Sequence, residues 1–147
     1  MPGFLEGHVT ADAYERWLSR KAAAHCRRDR NRGRTVSRSQ LKEAIHGAVL
    51  ASEGFDVYTG EKLDWHLLSK FRNEDAKAGR HVHKAGFALL PTVDHVRAGD
   101  TEAAFRICAW RTNDAKGDLS PEDFIKLCIR VLKHTGHSVT KRSGRRA

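Results

Sequence analysis

The chain is poor in cysteine and has no long apolar run. Its three cysteines, Cys26, Cys108 and Cys128, are odd in number, and none belongs to a C-x-x-C pair. This pattern argues against a disulfide framework and against a structural zinc site, and we expect Cys108 and Cys128 to be buried thiols on apolar faces. No apolar run approaches the ~20 residues that a membrane span needs. The first residues also lack the basic and apolar regions of a signal peptide. We therefore expect a cytoplasmic protein with no membrane partner.

Acidic residues are outnumbered, since 27 Lys and Arg against 18 Asp and Glu leave a formal net charge of +9. Such an excess favours a polyanionic partner, of which nucleic acid is the commonest. We interpret Arg27, Arg28 and Arg30 as contacts for a phosphate backbone, with a solvated basic face as the alternative. The whole basic cluster consists of Arg20, Lys21, Arg27, Arg28, Arg30, Arg32 and Arg34.

Hydrophobic spacing predicts two helices in the first third of the chain, at residues 11–30 and 38–52. Thr10 is a good N-cap for the first, and Ser37 with Gln40 has the signature of a capping box for the second. Their apolar stripes are assigned to the core rather than to a cofactor site. The stripe residues are Tyr14, Trp17, Leu18 and Ala22 in the first helix and Leu41, Ala44, Ile45, Ala48 and Val49 in the second.

Strand signals dominate the middle of the chain. The apolar run 87–93 predicts one strand, and the alternating segment 105–110 predicts another. Residues 55–60 indicate a short strand that ends in a hairpin-like turn. His81 and His83 lie on a polar stretch between these segments, and we interpret them as exposed side chains rather than metal ligands.

A third long helix is predicted at residues 121–134. Ser120 is its N-cap, Pro121 takes the first helical position, and Asp123 completes a capping box. Residues 137–147 are basic and are expected to form a disordered tail. The helix carries an apolar stripe that we expect to be buried, formed by Phe124, Leu127, Cys128, Val131 and Leu132.

The pair Asp94-His95, at the end of the first predicted strand, is the strongest candidate for chemistry. Phosphodiester hydrolysis needs a base for the attacking water and a positive centre that stabilises charge on the phosphate. Because adjacent strand residues point to opposite faces, Asp94 can hold a cation while His95 engages water. Asn113 offers a second oxygen ligand, and Lys116, one helical turn further on, can face a phosphate. Two oxygen ligands suit Mg²⁺ better than a closed zinc site.

These residues resemble the HNH endonucleases of the ββα-metal class. Residues 89–96 (LLPTVDHV) match the family's D-H-[VI] step, and residues 113–117 (NDAKG) match its closing N-x-x-K-G. Residues 57–63 (VYTGEKL) are similar to the hairpin that often precedes that motif. The resemblance covers roughly residues 55–134. It implies an α+β fold, in which a small antiparallel hairpin and a helix grip one divalent cation, here preceded by two N-terminal helices.

The resemblance also implies a function: the protein would be an endonuclease that cuts DNA rather than RNA. His95 would be the general base, and Asp94 and Asn113 would hold the cation, Mg²⁺ or alternatively Mn²⁺. Lys116 and Arg111 would contact the phosphate backbone.

Two features depart from the family. Ala104 stands where the family has its middle Asn, which orients the base. The zinc-binding C-x-x-C pairs of many members are also missing, with Cys108 alone at one such position. We therefore expect packing of Trp65, Trp110 and Phe105 to hold the fold without zinc. The alternative function is a non-catalytic nucleic-acid-binding protein on a degenerate HNH scaffold.

The chain length suits one domain. We expect this domain to span residues 1–136, with a helical part at 11–52, an HNH-like core at 55–134 and the tail at 137–147. A homodimer and a complex with a partner subunit are both compatible with the sequence.

Overall fold

The computed structural model describes residues 1–31, 36–70, 85–96 and 104–141. Within those ranges the chain contains five α-helices and one two-stranded antiparallel sheet, which confirms the predicted α+β class. Arg32, Arg34, His81, His83 and the end of the basic tail, which figured in the predictions, lie outside the described residues. In chain order the elements are α1 (Ala11–Asn31), α2 (Arg38–Ser52), α3 (Leu67–Lys70), β1 (Pro91–Val96), β2 (Ala104–Ala109), α4 (Trp110–Lys116) and α5 (Pro121–His134).

The chain forms two compact units, Met1–Ala115 and Lys116–Ala147, and each is described by itself. The predicted domain limits at residues 136 and 137 stay a prediction. Across the described ranges, no helix combines the length and the apolar character that a bilayer span requires.

Both predicted N-terminal helices are confirmed, together with their caps. The Thr10 hydroxyl accepts a hydrogen bond from the Ala13 amide at 3.2 Å. At the start of α2, the Ser37 hydroxyl accepts from the Gln40 amide at 3.2 Å, and the Gln40 side chain accepts from the Ser37 amide at 3.0 Å. These bonds satisfy amide groups that the first turn of a helix leaves without intrahelical partners.

The core of the first unit is built where α2 packs against α1 and β2. Leu41, Ile45 and Val49 of α2 are fully buried, whereas Ala44 is exposed, so the stripe is narrower than predicted. Trp65 is buried, as expected, and its ring packs edge-on against Trp17 of α1 at 5.9 Å between centroids. Aromatic pairs at this separation contribute packing energy beyond the area that they bury.

The predicted strand at 87–93 is wrong in its boundaries, because β1 begins only at Pro91. Residues 87–89 form a turn, and the carbonyl groups that precede β1 accept hydrogen bonds from α4 and from Asp64. The Leu90 carbonyl accepts from the Trp110 amide at 2.9 Å, and the Ala88 carbonyl accepts from the Arg111 amide at 3.1 Å. An apolar run marks burial, and it does not separate a strand from a buried turn.

The second predicted strand, at 105–110, corresponds to β2, but Trp110 is the first residue of α4. Its amide is bonded to the Leu90 carbonyl, so the chain turns into a helix directly where strand pairing stops. Trp110 and Phe105 are partly buried against the core, as predicted.

The buried stripe predicted for α5 is wrong, although the limits of the helix and its Ser120 cap are confirmed. Leu127 and Val131 are 46% and 54% exposed. Cys128 is also exposed, whereas Cys108 is buried as expected. Within the described residues, α5 is the one complete helix of the second unit, so that unit holds no second layer to cover it. Helical spacing shows which residues share a face, but not whether another element packs on it.

A buried carboxylate fixes the turn that precedes the sheet. Asp56 is 1% exposed. Its Oδ1 accepts hydrogen bonds from the amides of Tyr58 at 2.7 Å and Thr59 at 3.2 Å. Its Oδ2 accepts from the Ala109 amide at 2.8 Å and from the Thr112 hydroxyl at 2.6 Å. One side chain therefore joins the turn, the end of β2 and the start of α4. The hairpin-like turn is confirmed, but residues 55 and 62 form a single bridge rather than a strand pair.

We expect Asp56→Ala to lower the free energy of unfolding by about 3 kcal/mol or more, because it leaves several buried donors without an acceptor. Urea denaturation measures this change. Asp64→Ala is the matched control, since within the described ranges the Asp64 side chain accepts one hydrogen bond, from the His66 amide at 3.1 Å. That variant should lose about 1 kcal/mol. Equal losses in the two variants would contradict the assignment of Asp56 as the central acceptor.

Candidate functional site

The pairing of β1 with β2 separates Asp94 and His95 onto opposite faces of the sheet. Asp94 lies across from Arg106, and His95 lies across from Phe105. The His95 ring contacts its cross-strand partner Phe105 at 5.2 Å between centroids. Because neighbouring strand residues alternate between faces, the carboxylate and the imidazole have different surroundings.

Asp94 is held by a tyrosine from the preceding turn. It is 4% exposed, and its Oδ2 accepts a hydrogen bond from the Tyr58 hydroxyl at 2.5 Å. Burial and this bond to Asp94 raise the pKa of Tyr58 above its ordinary value. The Arg106 guanidinium lies 5.9 Å from the centre of the Tyr58 ring, a cation–π contact on the same side of the sheet. Asp94 therefore belongs to an ordered polar cluster with Tyr58 and Arg106.

His95 has aromatic neighbours instead. It is half-buried, and the His25 ring of α1 meets it edge-on at 5.7 Å between centroids. His25 also contacts Phe105 at 4.9 Å, so the three rings form one cluster. The sequence predictions missed His25. Its position three residues after Ala22 places it on the buried face of α1, and this spacing is the sequence feature that could have identified it.

Asp29 lies one helical turn after His25 and is 1% exposed. Within the described residues, neither of its carboxylate oxygens has a hydrogen-bond partner. A buried carboxylate of this kind is costly, since burial removes its hydration without a compensating donor.

Asn113 lies in the middle of α4 and is half-buried. Thr112, its neighbour, is bonded to Asp56, so the same carboxylate that positions Tyr58 also fixes the helix that carries Asn113. Asp94, His95 and Asn113 thus occur on a hairpin and on the helix that follows it without a linker. Their convergence on one cation stays a prediction.

The two phosphate contacts predicted near this helix have different settings. Arg111 is 50% exposed and forms an ion pair with Glu61, which is 41% exposed. Exposed pairs of this kind contribute about 0–1 kcal/mol, so a phosphate can compete for the guanidinium. Lys116 is 4% exposed and is the first residue of the second unit, so it is not a surface cation. Its role on a phosphate stays a prediction.

Ala104 is the first residue of β2 and pairs with Val96, one position beyond the His95–Phe105 pair. Its methyl group has no polar atom to orient an imidazole. Asp100 and Thr101, which could supply one, lie outside the described residues. Phe105 and His25 both contact the His95 ring.

The predicted backbone-contact residues lie at the end of α1. Arg27, Arg28 and Arg30 are exposed in its last two turns, whereas His25 and Asp29 are buried there. The exposed side of this helix end therefore carries guanidinium groups, and its buried side contacts His95 through His25.

Within the described ranges there is no group of three or more His, Cys, Asp or Glu side chains that could hold a metal ion. The predicted ligand set differs from such a group, because it has only one carboxylate, from Asp94, together with the amide oxygen of Asn113. Hard oxygen donors of this type suit Mg²⁺, which keeps several waters and takes few protein ligands. The donors therefore fit the cation in their chemistry.

Comparisons with known proteins add no assignment, since the chain matches no protein-family model, no curated protein and no solved structure.

The hydrogen bond between Tyr58 and Asp94 can be tested by measuring the pKa of the Tyr58 hydroxyl. The chain has two tyrosines, so Tyr14→Phe leaves Tyr58 alone, and phenolate absorbance then reports its ionisation. We expect a Tyr58 pKa above the usual value of about 10, and we expect Asp94→Ala to lower it by removing the negative acceptor. Asp114→Ala, at an exposed position of α4, is the control. An unchanged pKa in the Asp94 variant would show that the bond does not form in solution.

Proposed function

We propose that this protein is a DNA endonuclease that hydrolyses phosphodiester bonds with one divalent cation, Mg²⁺ or Mn²⁺, and His95 as the general base. The observation that carries the proposal is the arrangement of residues 91–116. An antiparallel hairpin bears Asp94 and His95 on opposite faces and runs directly into the helix that bears Asn113. The net charge of +9 supports a polyanionic substrate.

In this proposal the two faces of β1 have separate tasks. His95 accepts the proton of the attacking water, and its aromatic neighbours Phe105 and His25 restrict the orientation of its ring. Asp94 and Asn113 are the protein ligands of the cation, and Tyr58 limits the rotation of the Asp94 carboxylate. When bound, the cation stabilises negative charge on the scissile phosphate and on the leaving oxygen.

A non-catalytic nucleic-acid-binding protein is the second candidate. Two observations favour it. Asp94 is 4% exposed and already accepts a short hydrogen bond from Tyr58, so a cation has to compete with that bond for one oxygen. Ala104 also lacks the amide that would orient the base. Binding through the exposed arginines of α1 needs neither of these features.

Plasmid nicking in the presence of Mg²⁺ or Mn²⁺ tests the first candidate. We expect the wild-type protein to nick supercoiled DNA, and we expect His95→Ala to reduce the rate about 10²–10⁴-fold, the usual contribution of a general base. Asn113→Ala should raise the cation concentration that half-maximal nicking requires, because it removes one of the two proposed ligands, and a metal titration measures this shift. His66→Ala and Asp114→Ala remove exposed polar side chains that are not assigned to the site and should keep wild-type rates.

The outcome that contradicts catalysis is also specific. If the wild-type protein binds DNA but does not nick it with any divalent ion, the nuclease proposal fails and the binding protein remains. If His95→Ala nicks as fast as the wild type, the assignment of the base is wrong.

The salt dependence of DNA binding tests the basic end of α1. Each phosphate contact contributes about 0.9 to the slope of log K against log salt, so Arg27/Arg28/Arg30→Gln should reduce that slope by up to about 3. Arg16/Lys62/Lys70→Gln removes three exposed cations elsewhere in the first unit and should have a smaller effect. Equal slopes for the two triple variants would exclude the end of α1 as a specific phosphate surface.

A further inference from the structure

A cavity of about 510 Å³ lies beside the residues assigned to catalysis and contains none of them. Its walls come from α1, the first residue of α2, Leu68 of α3, Leu90 with the start of β1, and the first residue of α4. The volume falls within the range of about 300–1,000 Å³ that is usual for small-molecule sites. The cavity shares β1 and α4 with the proposed site, since Thr92 and Trp110 line it.

The cavity is positively charged. Arg20, Lys21, Arg27 and Arg38 line it, and none of the described residues in its wall is acidic. Two other cavities, each of about 600 Å³, both include Glu15. The concentration of positive charge is therefore a property of this concave surface, and it is not common to every cavity of a basic protein. A concave surface lined by charge of one sign focuses the field on its interior.

Two of the four cations are held in place. The Lys21 ammonium donates a hydrogen bond to the Thr92 hydroxyl at 3.1 Å, and it lies 6.0 Å from the centre of the Trp17 ring. The Arg38 guanidinium donates to the Ser19 carbonyl at 3.2 Å. Burial and the nearby Arg28 and Arg20 lower the pKa of Lys21 to about 8. An anion in the cavity would offset both the lost hydration and the repulsion between cations.

The remaining wall is apolar and aromatic. Trp17 and Trp110 line the cavity together with Leu68 and Leu90. Trp110 is half-buried, so part of its ring is open to a ligand. Planar bases stack on aromatic side chains with little dependence on sequence, and each stacked base contributes about 1–3 kcal/mol to binding. Cations for a phosphate and rings for a base therefore occur on one surface.

We propose that this cavity binds a single unpaired nucleotide, with its phosphate among Arg20, Lys21, Arg27 and Arg38 and its base against Trp110 and the apolar wall. The nucleotide is either free or part of a nucleic-acid strand. Where it belongs to the strand that is cut, the assignment rests on the proposed function, and the cavity then holds a nucleotide next to the strand that carries Asp94 and His95.

Titration calorimetry on the His95→Ala protein without divalent cation separates binding in the cavity from cleavage. The probes are deoxyadenosine 5′-monophosphate, deoxyadenosine, inorganic phosphate and a short single-stranded oligonucleotide. We expect the monophosphate to bind and the nucleoside to bind at least tenfold more weakly. Arg27→Gln and Lys21→Met should each weaken monophosphate binding about tenfold or more, which corresponds to the loss of one charge-assisted contact.

Matched controls keep the result interpretable. Arg16→Gln is the same change on the same helix, at an exposed residue that does not line this cavity, and Lys62→Met is the corresponding lysine control. Both should bind the monophosphate as the parent does. Arg27 is exposed, so Arg27→Gln tests the site even if Lys21→Met fails to fold.

Tighter binding of the oligonucleotide, in competition with the monophosphate, assigns the site to a strand, and equal or weaker binding assigns it to a free nucleotide. Inorganic phosphate that binds as tightly as the monophosphate would overturn the nucleotide assignment. Monophosphate binding that is absent, or that the Arg27 and Arg16 variants weaken equally, would also overturn it. Absence of nicking with monophosphate binding intact would refute the nuclease and leave the cavity assignment standing.

Discussion

The buried carboxylate of Asp56 is the constraint on which the rest of the site depends. Its two carboxylate oxygens accept hydrogen bonds from two turn amides, from the amide at the end of β2 and from the Thr112 hydroxyl. Hydrogen bonds to a charged group are stronger than neutral ones, and they are strongest where water is excluded. Through them the turn that carries Tyr58 and the helix that carries Asn113 are fixed to the same end of the sheet.

The register of the hairpin then gives two consecutive residues opposite environments. Asp94 faces a phenol and a guanidinium, whereas His95 faces two aromatic rings, one of them from α1. In the proposed hydrolysis Asp94 would hold the cation and His95 would accept a proton from water, and the separate surroundings of the two side chains suit these two roles. Thr92, on the same strand, accepts a hydrogen bond from Lys21, and both residues line the cavity that is proposed to bind a nucleotide phosphate.

Local signals in the sequence predicted α1, α2 and α5 well, because Thr10, Ser37 and Ser120 cap helices through bonds that span only three residues. These local signals gave wrong predictions where contacts between distant parts of the chain determine the structure. Phe87 and Leu89 pack against the hydrophobic core from a turn whose carbonyl groups accept hydrogen bonds from α4. Within the described residues, the second unit has no second layer to cover the stripe of α5. Asp94, His95 and Asn113 were singled out from motif spacing. Asp56, His25 and the Lys21–Thr92 pair were not, because their partners lie far away in the chain.

Anomalous diffraction from a crystal of this protein grown with Mn²⁺ tests the central claim most directly, because it locates the cation without an activity assay. The account predicts one peak at a bonding distance of about 2.0–2.4 Å from both the Asp94 carboxylate and the Asn113 amide oxygen. The peak should be absent from crystals of Asp94→Ala. A well-ordered crystal with no peak at Asp94, and with the Tyr58 hydrogen bond intact, would contradict the metal site and favour a protein that binds nucleic acid without cutting it.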